Sequence, residues 1–217
     1  MNYNWKPLEK TDESFCFDAF SVPILQIQLD LDVEQLEKFC FDLWKKNNKG
    51  EQKSNVGGWQ SSNIIPDQEK EQHPEFQKLL VEIYKCLFTY QSRIGFKKEY
   101  NPTIIDGWIN FNEKNDYNMW HIHGGNDVVF SSAYYVKVDD PQSGPIMFRH
   151  PFAPYLSIIW KENKIEKKNM SNSDVMGIFP KSNLLLLFPS WLQHSVFPNN
   201  TNNTRISMSF NTILNKW

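Results

Sequence analysis

The first hundred residues carry one strand pattern and two helical patterns. Across residues 20–31 apolar and polar side chains alternate after Pro23, which predicts a first strand. Asp32 can then cap a helix that continues to about Lys46, because apolar residues recur there at helical spacing. A second helix with one apolar face is predicted from Pro74 to about Ile94. Both apolar faces need a surface to pack on.

From Tyr100 onward the chain consists of short alternating segments separated by turn residues, a pattern typical of a β-sandwich or jelly roll. At 205–211 the polar residues fall on one strand face and the apolar residues on the other, and 108–112 repeats this arrangement. The polar faces either line a cavity between two sheets or face water. We predict a single domain over residues 1–217, with a strand and supporting helices in 1–99 and the β core in 100–217.

Composition and charge narrow the possible classes of protein. The formal net charge is −2 and basic residues are scattered among acidic ones, so nothing indicates a nucleic-acid partner. The first residues lack the features of a secretory signal, and no apolar run approaches the length of a membrane span. Cys16, Cys40 and Cys86 are widely spaced and odd in number, which predicts reduced thiols. We expect a cytoplasmic protein without a membrane anchor; its oligomeric state stays open.

The histidines carry the candidate chemistry. His121 and His123 form an HxH motif whose members share a strand face, and His194 is the candidate third ligand of one metal ion. Asp127, four residues after His123, is a rival of His123 for its ligand position, because the turn before Asp127 could fold its carboxylate back to the metal. Arg205 follows His194 across a turn, and Ser207 shares its strand face. A rigid guanidinium and a hydroxyl placed there could bind the carboxylate of an anion that also chelates the metal.

Taken together, these blocks resemble the Fe(II)- and 2-oxoglutarate-dependent oxygenases, and within them small predicted members common in phages and bacteria. The resemblance covers roughly residues 100–214. It rests on WIN at 108–110, HIH at 121–123, SSAYYV at 131–136, GPIMF at 144–148, FPSWLQH at 188–194 and RISMSFN at 205–211. It implies a double-stranded β-helix, or jelly roll, with the N-terminal helices packed on one sheet, and a location in the host cytoplasm if the gene is a phage gene.

The resemblance also implies cofactors and roles for residues. Fe(II) would be held by the histidines, 2-oxoglutarate would be the co-substrate, and O₂ would take the last position at the metal. Most of the superfamily has HxD or HxE, so His123 stands where a carboxylate is usual, and Asp127 could instead hold the outer N–H of His123. Residues assigned to the distal carboxylate of 2-oxoglutarate are Arg205, Ser207, Tyr134 and Ser132. Candidate substrate-facing residues are Trp59, Asn110 and Trp191.

The substrate expected from the resemblance is a peptidyl side chain such as proline, or else a small molecule. Two other classes compete with this interpretation: a metal-binding jelly roll of the cupin kind, and a three-histidine dioxygenase that does not use 2-oxoglutarate. Arg205 discriminates between them. Without an acidic co-substrate, a buried guanidinium on the cavity face would need an acidic protein partner to offset its desolvation.

Overall fold

The computed structural model describes residues 20–65, 73–125 and 127–216. The secretory-signal analysis and Cys16 therefore lie outside the described residues. The strands are β1 (Leu25–Gln28), β2 (Asn55–Val56), β3 (Trp59–Gln60), β4 (Tyr100–Asn112), β5 (Tyr117–His121), β6 (Phe130–Lys137), β7 (Ile146–Arg149), β8 (Val175–Ile178), β9 (Leu184–Pro189), β10 (His194–Val196) and β11 (Arg205–Lys216). The helices are α1 (Val33–Lys46), α2 (Pro74–Ile94) and α3 (Ala153–Ile159).

The described strands form two antiparallel sheets. The larger has the order β1-β9-β6-β11-β4-β3 and the smaller the order β2-β5-β10-β7-β8. Strands that are neighbours in space come from distant parts of the chain, as β11 lies between β6 and β4. This is the mainly β, jelly-roll architecture predicted from the sequence, and the fold prediction is confirmed.

The two long helices begin and end where local chemistry places them. The Asp32 side chain accepts a hydrogen bond from the Gln35 amide and caps α1. Pro74 opens α2, and Gly95 ends it with a φ of 90°, a left-handed conformation that suits glycine. Both helices match their predicted bounds. The first strand is shorter than predicted, because only Leu25–Gln28 pairs with β9.

Packing of the helices decides which face of the large sheet is apolar. Ile206, Met208 and Phe210 of β11 are fully buried in the same hydrophobic cluster as apolar residues of α1 and α2. Ile109 of β4 belongs to this cluster as well. Side chains alternate across a strand, so the polar residues of β4 and β11 must face the other sheet. The polar faces therefore line the space between the sheets and not the solvent.

Cys40 and Cys86 are both buried and free, in agreement with the prediction of reduced thiols for these two residues. Burial raises the pKa of each thiol, most strongly that of Cys40. Such thiols stay protonated and inert at neutral pH. They belong to the packing of the helices.

Candidate active site

Three histidines converge at one end of the space between the sheets. His121 is the last residue of β5 and His194 the first of β10, and the two lie directly opposite each other in the pairing of these strands. His123 comes from the loop after β5, where its backbone N–H donates to the Ser190 carbonyl. One ligand atom of each histidine lies within 4.8 Å of the others. His123 thus joins the cluster from a loop and not from the strand face that the HxH spacing suggested.

The hydrogen bonds of His121 and His194 determine which ring nitrogen is free. His121 Nδ1 lies 2.7 Å from the carbonyl oxygen of Met119, and His194 Nδ1 lies 2.9 Å from that of Leu192. A carbonyl oxygen can only accept, so each Nδ1 carries the proton and donates it. The Nε2 atom of each ring is then left with an unprotonated lone pair, as a metal ligand requires.

His123 is oriented by two polar side chains of the large sheet. Its Nδ1 lies 2.7 Å from Asn211 Oδ1 and 2.7 Å from Ser131 Oγ. The Ser131 hydroxyl also donates to Asn211 Oδ1 at 2.9 Å. These contacts hold the Nδ1 proton and direct His123 Nε2 toward His121. Sequence reasoning missed the role of Asn211, although its place on the polar face of β11 was a signal that could have found it.

Asp127 has neither of the roles considered for it. Its side chain is exposed, its backbone has a φ of 57°, and it is not among the residues of the candidate metal cluster. The N–H of His123 that Asp127 was expected to hold is bonded to Ser131 and Asn211. The structure therefore favours His123 over Asp127 as the third candidate ligand.

The donor set fits a divalent transition metal. His121 Nε2 and His123 Nε2 lie 3.1 Å apart, although neither carries a proton to share. Two bare lone pairs repel each other at this distance unless a cation lies between them. Two nitrogens that are each about 2.1 Å from one ion, at right angles, would be about 3.0 Å apart. The spacing is thus that of adjacent ligands of a single ion.

Burial keeps the three imidazoles neutral. Desolvation lowers the pKa of His121, and it lowers the pKa of His123 to about 4. Desolvation, together with the two neighbouring imidazoles, lowers the pKa of His194 to about 3. Neutral imidazole is the form that binds metal ions, so the cluster is ready for ligation at neutral pH.

Arg205 lies on the wall of the same cavity and is 1% exposed. Its Nη1 donates to the carbonyl oxygens of Ser143 and Gly144, at 2.6 and 2.7 Å. In the described part of the chain no carboxylate lies within ion-pair distance of the guanidinium, and its buried Nε has no hydrogen-bond partner. Burial lowers its pKa, whereas Tyr135 and Asp116 raise it from farther away. The cavity therefore contains a buried cation without a direct anionic partner.

Gly144 makes this contact possible. It has a φ of 96°, and a Cβ at this position would collide with the carbonyl oxygen of Phe197. Only glycine lets the chain pass here and turn its carbonyl toward the guanidinium. The GPIMF segment thus contributes a backbone acceptor for Arg205 as well as strand β7.

Polar side chains of the large sheet line the cavity between Arg205 and the histidines. The lining includes Trp108, Asn110, Asn112, Ser132, Ser207 and Ser209. The side-chain oxygens of Asn110, Asn112 and Ser132 are buried without a hydrogen-bond partner in the structure. Buried polar atoms of this kind normally meet water or a polar ligand. The predicted positions Asn110, Ser132, Ser207 and Arg205 are all brought together here.

Tyr134, a predicted co-substrate contact, lies on the opposite face of β6. It is fully buried in the cluster beneath the helices, and its hydroxyl donates to Asn183 Oδ1. The neighbouring Tyr135 lines the cavity and lies close enough to Arg205 for their charges to interact. The assignment to Tyr134 was wrong by one residue, which in a strand reverses the face.

The structure also places Trp59 away from the cavity. It is 8% exposed, packs edge-on against Phe111 in the helix-side cluster, and donates from its indole N–H to the Asn47 carbonyl. A substrate-facing role for Trp59 was therefore the wrong interpretation of an aromatic residue in a polar loop. Trp191 differs, since it is 53% exposed in the turn between Ser190 and His194.

We expect Trp59→Ala to lower the free energy of unfolding by about 3–5 kcal/mol, because it removes a large buried ring and its hydrogen bond. Trp59→Phe should lose much less, since it keeps most of the packing. Denaturant unfolding monitored by circular dichroism measures both. If Trp59→Ala kept the stability of the parent and bound a substrate more weakly, Trp59 would have a role in substrate binding and not in the core.

The jelly roll, the three converging histidines and the buried arginine are the features expected of a non-haem metal enzyme built on a double-stranded β-helix. Residues 106–211 match a protein-family model described as "Putative 2OG-Fe(II) oxygenase". The match covers just under half of the chain and supports its assignment to the superfamily of Fe(II)- and 2-oxoglutarate-dependent oxygenases, as the sequence motifs indicated. Its cofactor is Fe(II), and its co-substrates are 2-oxoglutarate and O₂.

Solved structures of the superfamily share the fold at low sequence identity. A Pseudomonas putida prolyl-4-hydroxylase has a TM-score of 0.59 at 11% identity, covering 89% of this chain and 93% of its own. A Trichoplax adhaerens prolyl hydroxylase, in complex with a peptide of hypoxia-inducible factor, has 0.57 at 18%, covering 88% and 83%. Streptomyces hygroscopicus HygX, with nickel and 2-oxoglutarate bound, has 0.55 at 13%, covering 88% and 82%. These likenesses concern the fold alone.

A search of curated proteins finds no match to this sequence. Within the described ranges, none of the helices combines the length and hydrophobicity that crossing a bilayer requires.

Proposed function

We propose that this protein hydroxylates a peptidyl side chain, with proline as the favoured target, using Fe(II) bound by His121, His123 and His194. The observation that carries the proposal is the buried guanidinium of Arg205. It lies on the wall of the cavity that contains the histidines, and no carboxylate of the described residues is close enough to form an ion pair with it. An acidic co-substrate that reaches from the metal supplies the missing anion.

Each cavity residue then has a definite task. Arg205 binds the distal carboxylate of 2-oxoglutarate through the N–H groups that its two carbonyl partners leave free. Ser207, on the same face of β11, adds a hydroxyl donor. Ser132 and the amides of Asn110 and Asn112 line the space between. Tyr135 takes the place proposed for Tyr134 beside the guanidinium.

When bound, Fe(II) supplies the oxidising chemistry, in which one atom of O₂ enters the substrate and the other enters 2-oxoglutarate as it decarboxylates to succinate. The protein contributes orientation and shielding. Ser131 and Asn211 fix the His123 ring, and the carbonyls of Met119 and Leu192 fix the other two rings. Trp108 packs edge-on against His123 and covers it on the side of β4.

The choice of a peptide rests on the surface beside the histidines and on two similar structures. Ile122 and Trp191 are each 53% exposed, and each lies within three residues of a candidate ligand. Exposed apolar side chains next to a reaction centre suit an apolar peptide segment. Two of the similar structures are named as prolyl hydroxylases, and one of these holds a peptide. Arg205 argues against the cupin-like alternative. A cytoplasmic location stays a prediction.

The test is turnover with proline-containing peptides. Protein loaded anaerobically with Fe(II) is mixed with 2-oxoglutarate, oxygenated buffer and a peptide library, and succinate and peptide mass are measured. We expect succinate formation that a peptide stimulates, with that peptide gaining the mass of one oxygen atom. Trp191→Ala should reduce this stimulation, whereas Trp160→Ala, which removes an exposed Trp of the β7–β8 connection, should leave it intact. Succinate formation that only small molecules stimulate would refute the peptide assignment.

A further inference from the structure

Asp106 is a partly buried carboxylate opposite Asn211, the residue that is bonded to His123. It lies on β4, two residues before the cavity-lining Trp108, and its direct partner across the pair of strands is Asn211 of β11. Its Oδ1 is buried and has no hydrogen-bond partner in the structure. The basic residue whose charge acts on it, Lys53, forms its ion pair with Glu51 at 3.0 Å. Burying a carboxylate oxygen without a hydrogen-bond partner costs free energy, so its presence here calls for an explanation.

Asn211 connects this carboxylate to His123. Its Oδ1 accepts from His123 Nδ1 and from Ser131 Oγ, so the donor side of the amide is directed away from the histidine. Directly opposite residues of an antiparallel pair have neighbouring side chains. Burial raises the pKa of Asp106, while the neighbouring Asn211 side chain and the charge of Lys53 lower it. Asn211 thus lies between His123, to which its Oδ1 is bonded, and Asp106, its cross-strand partner on β4.

The net charge of the metal site indicates what the carboxylate of Asp106 contributes. Three neutral imidazoles leave Fe(II) with its full double charge, whereas a ligand set with one carboxylate cancels one unit of it. A carboxylate placed behind a ligating histidine raises the basicity of the ring and fixes its orientation. At this site Asn211, which is bonded to His123, has the carboxylate of Asp106 as its cross-strand neighbour.

We propose that Asp106 is a positioning residue whose carboxylate acts through Asn211 to orient His123 and to supply the negative charge that the three-histidine ligand set lacks. This inference rests on the proposed ligation of the metal by His123. It assigns to Asp106 no contact with the substrate.

The experiment measures the affinity for Co(II), a redox-stable probe whose visible absorption reports binding. Asp106→Asn keeps the shape and removes the charge, and we expect it to weaken Co(II) binding by about ten- to a hundredfold. Asp106→Glu should recover part of the loss. Glu113→Gln, which neutralises an exposed acid just after the other end of β4, is the matched control and should bind as the parent does.

A double-mutant cycle separates this role from a structural one. In a His123→Asp background the ligand itself carries the charge and the imidazole link is gone, so Asp106→Asn should change the Co(II) affinity by less than about twofold. An equal effect in both backgrounds means that Asp106 only supports the fold, and it overturns the inference. If Asp106→Asn proves unstable in thermal unfolding, the same cycle is run with Asp106→Ser.

The inference and the proposed function fail in different ways. If the parent binds Co(II) and His121→Ala does not, the metal site stands, and parental affinity in Asp106→Asn then overturns the inference alone. If the parent binds no Co(II), both are overturned. If Asp106→Asn weakens Co(II) binding in the parent and has no such effect in the His123→Asp background, the result supports the inference and the proposed metal site.

Discussion

Replacing His121 or His194 with alanine is expected to abolish the binding of Fe(II). Each ring presents an Nε2 lone pair to the cluster, and each has its Nδ1 proton bonded to a carbonyl of its own segment. Removing one ring leaves two ligands, too few to hold the ion through dialysis. Iron content after anaerobic dialysis, measured per chain, checks this result, with one equivalent expected in the parent.

Variants of His123 and Asp127 are the matched comparisons for the alanine variants of His121 and His194. His123→Asp is expected to keep iron, because it restores the carboxylate that is usual in the superfamily. His123→Ala should lose it. Asp127→Ala should bind as the parent does, since Asp127 is exposed outside the cluster. Full iron content in both His121→Ala and His194→Ala would contradict the ligand assignment. If Asp127→Ala lost its iron and His123→Ala kept it, Asp127 and not His123 would be the third ligand.

The second large effect is expected at Arg205, on which the choice of co-substrate rests. A charge-assisted, two-pronged contact in a sheltered cavity contributes about 1.5–3 kcal/mol, so Arg205→Ala should weaken 2-oxoglutarate binding by roughly ten- to a hundredfold or more. Lysine should recover only part of the affinity, because it keeps the charge and loses the planar fork. Iron binding should be unchanged, since a guanidinium does not ligate a cation.

The measurement is an anaerobic titration of the Fe(II) protein with 2-oxoglutarate, followed by the visible charge-transfer absorption of the chelated 2-oxo acid. Arg149→Ala is the matched control. Its guanidinium lies 4.2 Å from the centre of the Trp120 ring and bonds to Gln193, and it does not line the cavity. An unchanged titration in Arg205→Ala would place the distal carboxylate elsewhere.

Neighbouring residues were enough to predict the helices and the alternation of the strands. Asp32 and Pro74 act within one turn of their own position, so the starts of α1 and α2 and the approximate positions of their ends could be predicted. The alternation at 205–211 likewise depends only on the two faces of a strand. The motifs themselves indicated the superfamily, and the family match and the fold agree with it. The short helix α3 was missed, and most of its large apolar residues, Tyr155, Ile158 and Ile159, are exposed.

Other features depend on tertiary contacts that form only in the folded protein. Tyr134 and Tyr135 are equally plausible in sequence, and only the helices packed on one face of β6 decide that Tyr135 faces the cavity. Trp59 was misassigned for the same reason, because the core that receives it is built from distant segments.

The chain of contacts behind His123 could not be predicted from local patterns at all. His123 and Asn211 are 88 residues apart, and Asp106 is brought to Asn211 only by the pairing of β4 with β11. Short motifs were sufficient to predict which residue types the site contains, because the candidate ligands, Arg205 and the two faces of each strand can be recognised from neighbouring residues. The tertiary structure decided which of them meet, because strand register and the packing of the helices select one face of every strand for the cavity.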